Sequence, residues 1–398
     1  MRKAPFVVSV LFIVLATPCQ DRGRQNRNQR VPRPDELPLL DVAEASARGC
    51  ELLLGSQGDG STWTYEGVYS VRGQDPIGYE VGGSAIACLA LIETPGYSQD
   101  AERQQALERS VGFILKALQD PLMDASFEQG YDVRGWGHTY ALLLFLRLDD
   151  LGFAPQGLAE QVATSTAWLI ATLEKSAIPT SGGWNYSRRG NGKGAPFMTA
   201  PTLQALFHAR AKGHAINASI VEQALAGLER ARTASGGYAY SSPDESYSDR
   251  PESELGMMDR RPGSVGRMVV TESTLMLAGR GSLPRLYAAI DAFFTHWDEL
   301  EVRRAQPRTH IPPYGVAPYF FVYAHYYAAQ AIEMLPDEMG KDEYRVRLNR
   351  ILASVREESG GWNDRVFERS QNYGTAMAIM ALQMKDIPAV PAWQATKR

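Results

Sequence analysis

Four side chains in this sequence have the chemistry for acid–base catalysis in apolar surroundings. Glu80 and Glu272 each open a stretch of small and apolar residues, His138 opens another, and Asp364 follows a Gly-Gly-Trp turn. A carboxylate in such a place needs a partner or takes a raised pKa, and an imidazole titrates near neutral pH. Two carboxylates at a suitable separation would form a pair of the kind used in glycoside hydrolysis. We therefore treat Glu272, His138, Glu80 and Asp364 as candidate catalytic residues.

The two glutamates and His138 also have a purely structural interpretation. The two glutamates could lie in the first turn of a helix, where a carboxylate caps backbone N–H groups and complements the helix dipole. His138 could hydrogen-bond to the backbone at a helix start, since a lone histidine carries little specificity. Because the sequence does not supply the separation of the carboxylates, both interpretations stay open.

A second set of residues has the chemistry to line a ligand cavity. Tyr319 and Tyr323 share one helical face in the densest aromatic run of the chain. Such a stripe suits sugar rings or an isoprenoid chain, and it is also typical of a core whose hydroxyls find partners. The remaining predicted cavity residues are Trp136, Tyr140, Tyr186, Tyr240 and Asn372.

The elements that must position these residues are helices that come in pairs. Apolar residues recur mostly three and four positions apart, and sustained two-residue alternation is weak. One helix of each pair is amphipathic, which predicts an outer helix, and the other is apolar all round, which predicts a buried one. The outer helices are predicted near Asp41–Leu54, Ala101–Leu118, Leu158–Glu174, Ala218–Arg232, Leu286–Arg303 and Glu343–Glu358. Their buried partners are predicted near Gly83–Ile92, Thr139–Leu148, Thr199–Ala211, Thr271–Leu277, Tyr319–Met334 and Thr375–Met384.

A Gly-Gly-aromatic turn repeats in phase with the helix pairs. It ends in Trp184, Tyr238 and Trp362, and Trp63 ends a degenerate first copy. The glycines permit a positive φ, and the aromatic side chain can fill the gap between neighbouring hairpins. A Ser or Thr is predicted to cap each inner helix, at Ser84, Thr139, Thr199, Thr271 and Thr375. The polar stretch Ser241–Gly266 shows no helical period and is predicted to be a mobile loop at one end of the fold.

These turns, each followed by a small-residue helix, resemble the prenyltransferase/squalene oxidase repeat of terpenoid cyclases and protein prenyltransferase β-subunits. The resemblance covers about residues 40–386 and is closest to the exported bacterial proteins with this repeat. It implies an all-α fold, an (α/α)6 toroid of about six hairpins with parallel inner helices and a cavity open at one end. It does not imply one function, because this toroid hosts several activities and also non-catalytic domains.

The motifs that would carry the known activities of this group are absent from the sequence. No Asp-x-Asp-Asp motif for substrate protonation occurs, and Asp149-Asp150 is the only adjacent Asp pair. The prenyltransferase zinc site needs Asp, Cys and His, and no Asp lies two residues before Cys88. We predict no metal site and no cofactor. Cys50 and Cys88 are interpreted as small core residues, with a disulfide between them left open.

The chain begins with the features of a secretory signal peptide. Arg2 and Lys3 precede an apolar stretch too short to span a bilayer. We predict a signal peptide at 1–18, a disordered linker at 19–39, the toroid at 40–388 and a tail at 389–398. The mature protein is then exported to the periplasm or cell envelope without a transmembrane segment, with a lipid anchor on Cys19 as an alternative. With a net charge of −4, no basic field is available to hold nucleic acid.

Two hypotheses for function follow from these observations. In the first, the protein is a binding scaffold of the cell envelope whose cavity or loop-rich face holds an apolar (isoprenoid) ligand, a glycan or an envelope protein. In the second, it is an enzyme that acts in the central cavity on an isoprenoid or polysaccharide by carboxylate acid–base chemistry. Convergence of two candidate residues in one cavity would favour the enzyme, and their scatter over the outer surface would exclude it.

Overall fold

The computed structural model describes residues 37–63, 65, 76–126, 133–153, 155, 157–186, 192–304, 312–317, 319–364 and 370–394. The predicted signal peptide, Cys19 and nearly all of the predicted linker lie outside these residues. In the part that is described, no helix is long and apolar enough to cross a membrane.

The described residues form thirteen α-helices and no β-strand. The outer helices are α1 (Val42–Ser56), α3 (Ala101–Ala117), α5 (Ala159–Ser176), α7 (Ala218–Arg230), α9 (Leu283–Thr295), α10 (Trp297–Arg303) and α12 (Lys341–Ser354). The inner helices are α2 (Ile77–Glu93), α4 (Arg134–Asp150), α6 (Pro196–Ala211), α8 (Arg261–Leu277), α11 (Phe320–Glu333) and α13 (Ser370–Leu382). The fifth outer helix, predicted as one element, is broken at His296 into α9 and α10.

The inner helices form a closed ring inside the outer ones. Each of α2, α4, α6, α8, α11 and α13 packs against the next, and α13 returns to α2. Because an outer helix precedes each inner one, the six inner helices run parallel and their N-terminal ends share one end of the ring. The prediction of an (α/α)6 toroid is confirmed.

The two kinds of helix differ in how much of their surface is buried. The buried positions of α7, Val221, Ala224, Leu225 and Leu228, follow one helical face. On α2, by contrast, nearly every side chain is buried, so small residues are needed where inner helices meet. Gly82 shows this need, because a Cβ atom there would overlap the ring of Trp136 on α4.

In the first, third and sixth hairpins the turn aromatic joins the outer helix to its inner partner through two hydrogen bonds. The backbone N–H of Trp184 donates to Thr199 Oγ1 at 3.0 Å, and its indole N–H donates to the carbonyl of Leu173 on α5 at 2.7 Å. The same bonds recur at Trp63, with Ser84 Oγ at 2.9 Å and Leu53 O at 2.6 Å, and at Trp362, with Thr375 Oγ1 at 3.1 Å and Leu352 O at 2.8 Å.

This pattern replaces the predicted role of the hydroxyl residues as helix caps. Ser84, Thr199 and Thr375 lie inside their helices, where they accept the N–H of the turn aromatic. In the fourth hairpin Ser264 takes this role, at 3.1 Å from the Tyr238 nitrogen, and Thr271 does not. Thr139 donates instead to the carbonyl of Gly135 within α4.

The stretch Ser241–Gly266 is more ordered than its composition predicts. Its last six residues already belong to α8. Ahead of them come three single 3₁₀ turns, Tyr247–Asp249, Glu252–Glu254 and Met257–Asp259. The prediction missed the helix start because Pro262 and Gly263 stand in its first turn, where proline is well tolerated.

Candidate functional site

One aromatic group surrounds a carboxyl at the N-terminal ends of α2, α4 and α13. We call it the acidic group, and its members are Tyr65, Tyr79, Trp136, Tyr140, Asp364 and Tyr373. The ring centroids of Tyr65 and Tyr373 lie 4.7 Å apart, and those of Trp136 and Tyr140 lie 5.3 Å apart. Tyr79 packs edge-on against Tyr65 at 5.7 Å and against Trp136 at 6.0 Å.

Asp364 supplies the carboxyl of the acidic group. It is fully buried, and its Oδ2 accepts a hydrogen bond from the Tyr65 hydroxyl at 3.1 Å. Burial raises the pKa of Tyr65 well above its ordinary value, and the neighbouring Asp364 raises it further. Tyr65 therefore stays protonated and remains a donor to the carboxyl. The result is a buried carboxyl that accepts a hydrogen bond from one of the surrounding tyrosines.

A second aromatic group surrounds a cation at the same end of α6, α8 and α11. We call it the cationic group, and its members are Phe197, Tyr240, Arg267, Tyr319, Phe320 and Tyr323. Phe197 lies 5.4 Å from both Tyr240 and Phe320, and Tyr319 lies 4.8 Å from Phe320. Tyr186 extends the group by packing against Phe197 at 5.1 Å. The hydroxyls of Tyr240 and Tyr319 are 3.3 Å apart.

Arg267 is held in this group by carbonyls and ring faces. Its Nε and Nη2 donate to the carbonyl of Tyr238 at 3.2 Å, and Nη2 also donates to the carbonyls of Gly263 and Met258. Its guanidinium carbon lies 5.4 Å from the ring centre of Tyr240 and 5.8 Å from that of Phe320. Burial lowers the pKa of Arg267, and nearby Asp259 opposes that effect.

Tyrosines on opposite helices meet across the ring below the two groups. The hydroxyls of Tyr140 on α4 and Tyr327 on α11 are 3.2 Å apart, and Tyr323 donates to the carbonyl of Phe197 at 2.8 Å. Another polar layer joins the amides of Gln204 and Gln330 at 2.9 and 3.0 Å. The tyrosine hydroxyls and glutamine amides of these two layers are thus hydrogen-bonded within the protein.

The structure places Glu272 in the wall of the toroid. It lies well inside α8, so the first-turn capping alternative does not describe it. The Tyr238 hydroxyl donates to Oε1 at 2.8 Å, Arg232 Nε lies 3.0 Å from Oε1, and Arg285 Nε lies 3.0 Å from Oε2. These partners come from the outer side of α8, and the carboxylate is directed toward α7 and α9.

Of the other two candidates, His138 lies in the wall, apart from the acidic group, and Glu80 lies beside that group. His138 Nε2 is 2.9 Å from the carbonyl of Met123, and its ring meets Trp168 of α5 edge-on at 5.6 Å. Burial lowers the pKa of His138 to about 3, so its imidazole is neutral in the wall. Glu80 is half-buried in the first turn of α2, next to Tyr79.

Of the predicted cavity residues, Asn372 is directed toward the outer ring. Its Oδ1 accepts from Ser56 Oγ at the end of α1, at 2.7 Å. The aromatic residues Trp136, Tyr140, Tyr186, Tyr240, Tyr319 and Tyr323 all lie in or beside the two groups described above. Of the four catalytic candidates, Asp364 is the one whose described contacts belong to these groups.

Several residues of the two groups were missed in the sequence: Tyr65, Tyr79, Phe197, Arg267, Phe320 and Tyr373. One signal could have found Tyr65, because the position two residues after the turn aromatic supplies a site residue in four hairpins. The residues at that position are Tyr65, Tyr186, Tyr240 and Asp364. Arg267 also left a signal, since Arg267 and Glu272 are the charged residues that follow Arg261 in a helix rich in small and apolar residues.

The described residues contain no group of three or more His, Cys, Asp or Glu side chains that could hold a metal ion. Cys50 and Cys88 are both free and buried there.

The sequence matches no family model and no curated protein. The fold resembles an inactive variant of an α-1,6-mannanase of Salegentibacter sp. in complex with α-1,6-mannotetrose, at 12% identity and a TM-score of 0.55, over 87% of this chain and 100% of that one. It also resembles an unsaturated glucuronyl hydrolase of Bacillus sp., at 11% identity and a TM-score of 0.52, over 90% and 98%. A third structure is a type II terpene cyclase of Scytonema in complex with geranylgeranyl dihydroxybenzoate, at 11% identity and a TM-score of 0.50, over 87% and 97%. At these identities the likeness shows the fold alone, a terpenoid cyclase-like α/α toroid.

Proposed function

We propose that the protein binds an elongated apolar chain of the isoprenoid type between the acidic and the cationic group. The observation that carries this proposal is the state of the polar groups inside the ring. The Tyr140 and Tyr327 hydroxyls bond to each other, as do the Gln204 and Gln330 amides, so ring faces are what the wall offers a ligand. A glycan would have to break these bonds, whereas an apolar chain gains from contact with the rings.

The structural neighbours do not decide between an isoprenoid and a glycan as the ligand of this protein. The terpene cyclase is in complex with an isoprenoid compound, and the mannanase is in complex with a glycan. The same toroid therefore accepts both, and the lining of the lumen has to decide between them. Aromatic faces suit both ligand classes, and for this chain the mutual bonding of the tyrosine hydroxyls and glutamine amides favours the isoprenoid. We place this binding in the cell envelope, following the predicted signal peptide.

Binding can be tested with geranylgeraniol and α-1,6-mannotetrose as probes, followed by tryptophan fluorescence and calorimetry. We expect the wild type to bind geranylgeraniol and not the tetrasaccharide. Trp136→Ala removes a ring face of the acidic group and should weaken binding at least tenfold, since aromatic contacts dominate such sites. Tyr140→Phe keeps the ring and should bind as well as the wild type.

A control variant separates this effect from loss of an aromatic residue in general. Tyr287 is 38% exposed on outer helix α9, so Tyr287→Ala should leave the affinity unchanged. Binding of the tetrasaccharide in preference to geranylgeraniol would reject the proposal.

A second candidate function is acid catalysis on the bound chain, and Asp364 is the observation that favours it. In its protonated form this carboxyl would transfer a proton to a carbon–carbon double bond, and ring faces would stabilise the resulting cation. Loss of a proton from the cyclised cation to the carboxylate would give the neutral product and restore the acid. In Asp364→Asn the amide oxygen can still accept from Tyr65, but no acid remains. We expect cyclised products from the wild type with a geranylgeranyl substrate and none from Asp364→Asn, by gas chromatography and mass spectrometry. Equal product from both proteins would remove Asp364 from the chemistry, and no product from either would leave binding as the function.

A further inference from the structure

We infer that Arg267 binds an anionic head group, a phosphate or a carboxylate, so that the ligand of the lumen is an amphipathic anion. This inference rests on the proposed function, since it adds a charged end to the apolar chain proposed above. It concerns the cationic group and the residues around it.

Arg267 lacks the acidic partner that two other buried arginines of this chain have. Arg103 is paired with Asp100 at 2.7 Å, and Arg304 is paired with Glu301 at 2.7 Å. Arg267 is only 3% exposed and forms no ion pair within the part of the chain that the structure describes. A buried charge without a counter-ion is costly, and such a charge commonly serves a ligand.

The guanidinium of Arg267 also keeps a donor for such a ligand. Its Nε and Nη2 are occupied by backbone carbonyls, whereas Nη1 donates to no described residue. The rings of Tyr240 and Phe320 lie beside the guanidinium, with their centres 5.4 and 5.8 Å from its carbon. Bonds and rings together fix the orientation of the positive charge before a ligand arrives, which favours charge-assisted binding of an oxyanion.

The nearest acid does not cancel this charge through a direct contact. Asp259 Oδ1 accepts the backbone N–H of Tyr240 at 2.8 Å and is not bonded to Arg267. Burial raises the pKa of Asp259, although Arg267 and the Tyr240 bond oppose that rise. An anionic head group at Arg267 would therefore complete a charge balance that the described residues leave incomplete.

The two groups together also give the ligand an orientation. Asp364 lies in the group built on α2, α4 and α13, and Arg267 lies in the group built on α6, α8 and α11. An anion is attracted by Arg267, whereas the carboxyl of Asp364 offers it no positive charge. The head group then lies at Arg267, and the apolar chain lies against the rings of the acidic group.

Three probes that share one chain test this inference: geranylgeraniol, geranylgeranyl phosphate and geranylgeranoic acid. We expect the wild type to bind the two anions at least tenfold more tightly than the alcohol. Arg267→Met should lose this preference while still binding the alcohol, which also shows that the variant is folded. Preference for the phosphate alone, or for the acid alone, would support the inference and identify the head group.

Two further variants make the outcome decisive. Arg347 lies over the ring of Phe294 at 4.4 Å, away from the lumen, so Arg347→Met is a matched control that should keep the preference. If Arg267→Met does not fold, Arg267→Lys should retain a charge and part of the preference. Equal affinity of the wild type for all three probes would overturn this inference and leave the proposed binding intact. Failure to bind any of them would overturn both.

Discussion

At the scale of single residues, Glu272 shows how the packing of a repeat can hold a buried carboxylate. The Trp side chains of the other turns donate their indole N–H to an outer-helix carbonyl, as Trp184 does to Leu173. The fourth turn carries Tyr238 instead, and its hydroxyl donates to Glu272. Arg232 and Arg285 then balance the charge of the carboxylate. Glu272 is therefore explained by the packing of the fourth hairpin.

Glu272→Gln should lower the free energy of unfolding by about 2 kcal/mol, because it leaves two arginines without their counter-ion. Urea denaturation measures the change. Glu229→Gln is the control, since Glu229 is 42% exposed in its pair with Arg280 and its loss should change stability by less than about 0.5 kcal/mol. Unchanged stability together with lost ligand binding would return Glu272 to the functional site.

His138 gives the toroid a defined acid sensitivity. Burial lowers its pKa from 6.5 to about 3, so between these values the unfolded chain binds a proton that the folded protein does not. The contribution of this residue to stability is therefore present above pH 6.5 and is lost as the pH falls. In His138→Gln, which can keep the bond to Met123, the stability lost between pH 7 and pH 5 should be about 2 kcal/mol smaller than in the wild type.

Urea titrations at the two pH values measure this difference. His325 supplies an internal reference, because burial lowers its pKa to about 4 and the variant retains it. Some acid sensitivity must therefore persist in His138→Gln. Identical pH profiles for the two proteins would mean that His138 becomes protonated in the fold.

At the scale of elements, the Gly-Gly-aromatic turn is the unit that positions the site. Its aromatic residue is fixed by a hydroxyl on the inner helix and a carbonyl on the outer one, and the chain then places the residue two positions later into the lumen. In the sixth hairpin, Thr375 and Leu352 hold Trp362, and Asp364 is the residue two positions later. A change in the turn should therefore affect both stability and the site.

Gly361→Val should destabilise the fold by about 2–4 kcal/mol, for a reason different from backbone conformation. Gly360 carries the positive φ of 93°, whereas Gly361 is constrained because a Cβ atom there would lie 2.6 Å from Thr375 Oγ1 and 3.0 Å from Leu52 Cδ1. Thermal unfolding measures the loss. Gly112→Ala on outer helix α3 is the control, since nothing lies within 4 Å of its added Cβ, and it should stabilise the protein slightly. An unchanged melting temperature for Gly361→Val would contradict the proposed packing of the turn.

The sequence predicted the elements better than it predicted which way their side chains face. Helix pairing and the turn could be found because amphipathic and all-apolar helices alternate with a glycine-marked break. Glu272, His138 and Asn372 were placed at the cavity because a helix that is apolar all round has no period that separates its lumen side from its outer side. Tyr319 and Tyr323 were predicted to face the lumen. Their shared aromatic face lies inside the ring whether it binds a ligand or forms part of the core. The sequence shows that Arg267 is a charged residue in a buried helix, but it does not predict the direction of the side chain. That direction depends on carbonyl groups of the turn and of a 3₁₀ segment.

At the scale of the whole molecule, the two ends of the toroid differ. The N-terminal ends of the inner helices carry the acidic and the cationic group. At the other end the chain continues after α13, and its tail reaches α8 and α6, where the backbone N–H of Trp393 donates to the carbonyl of Leu277 at 2.9 Å. The ring of Trp393 packs on Phe207 of α6 at 5.4 Å. Because the tail crosses this end of the ring, we expect a ligand to enter from the opposite end.

Trp393→Ala tests this difference between the two ends of the molecule. The half-buried indole contacts Phe207, so its loss should lower the free energy of unfolding by about 2 kcal/mol, less than the full cost of deleting a buried tryptophan. Val302→Ala is the control for a surface truncation, since Val302 is 60% exposed and should be neutral. Geranylgeraniol should bind Trp393→Ala as tightly as the wild type, because the proposed site lies at the other end of the inner helices. If Trp393→Ala weakens binding as much as Trp136→Ala does, the ligand must extend along the whole lumen as far as the tail.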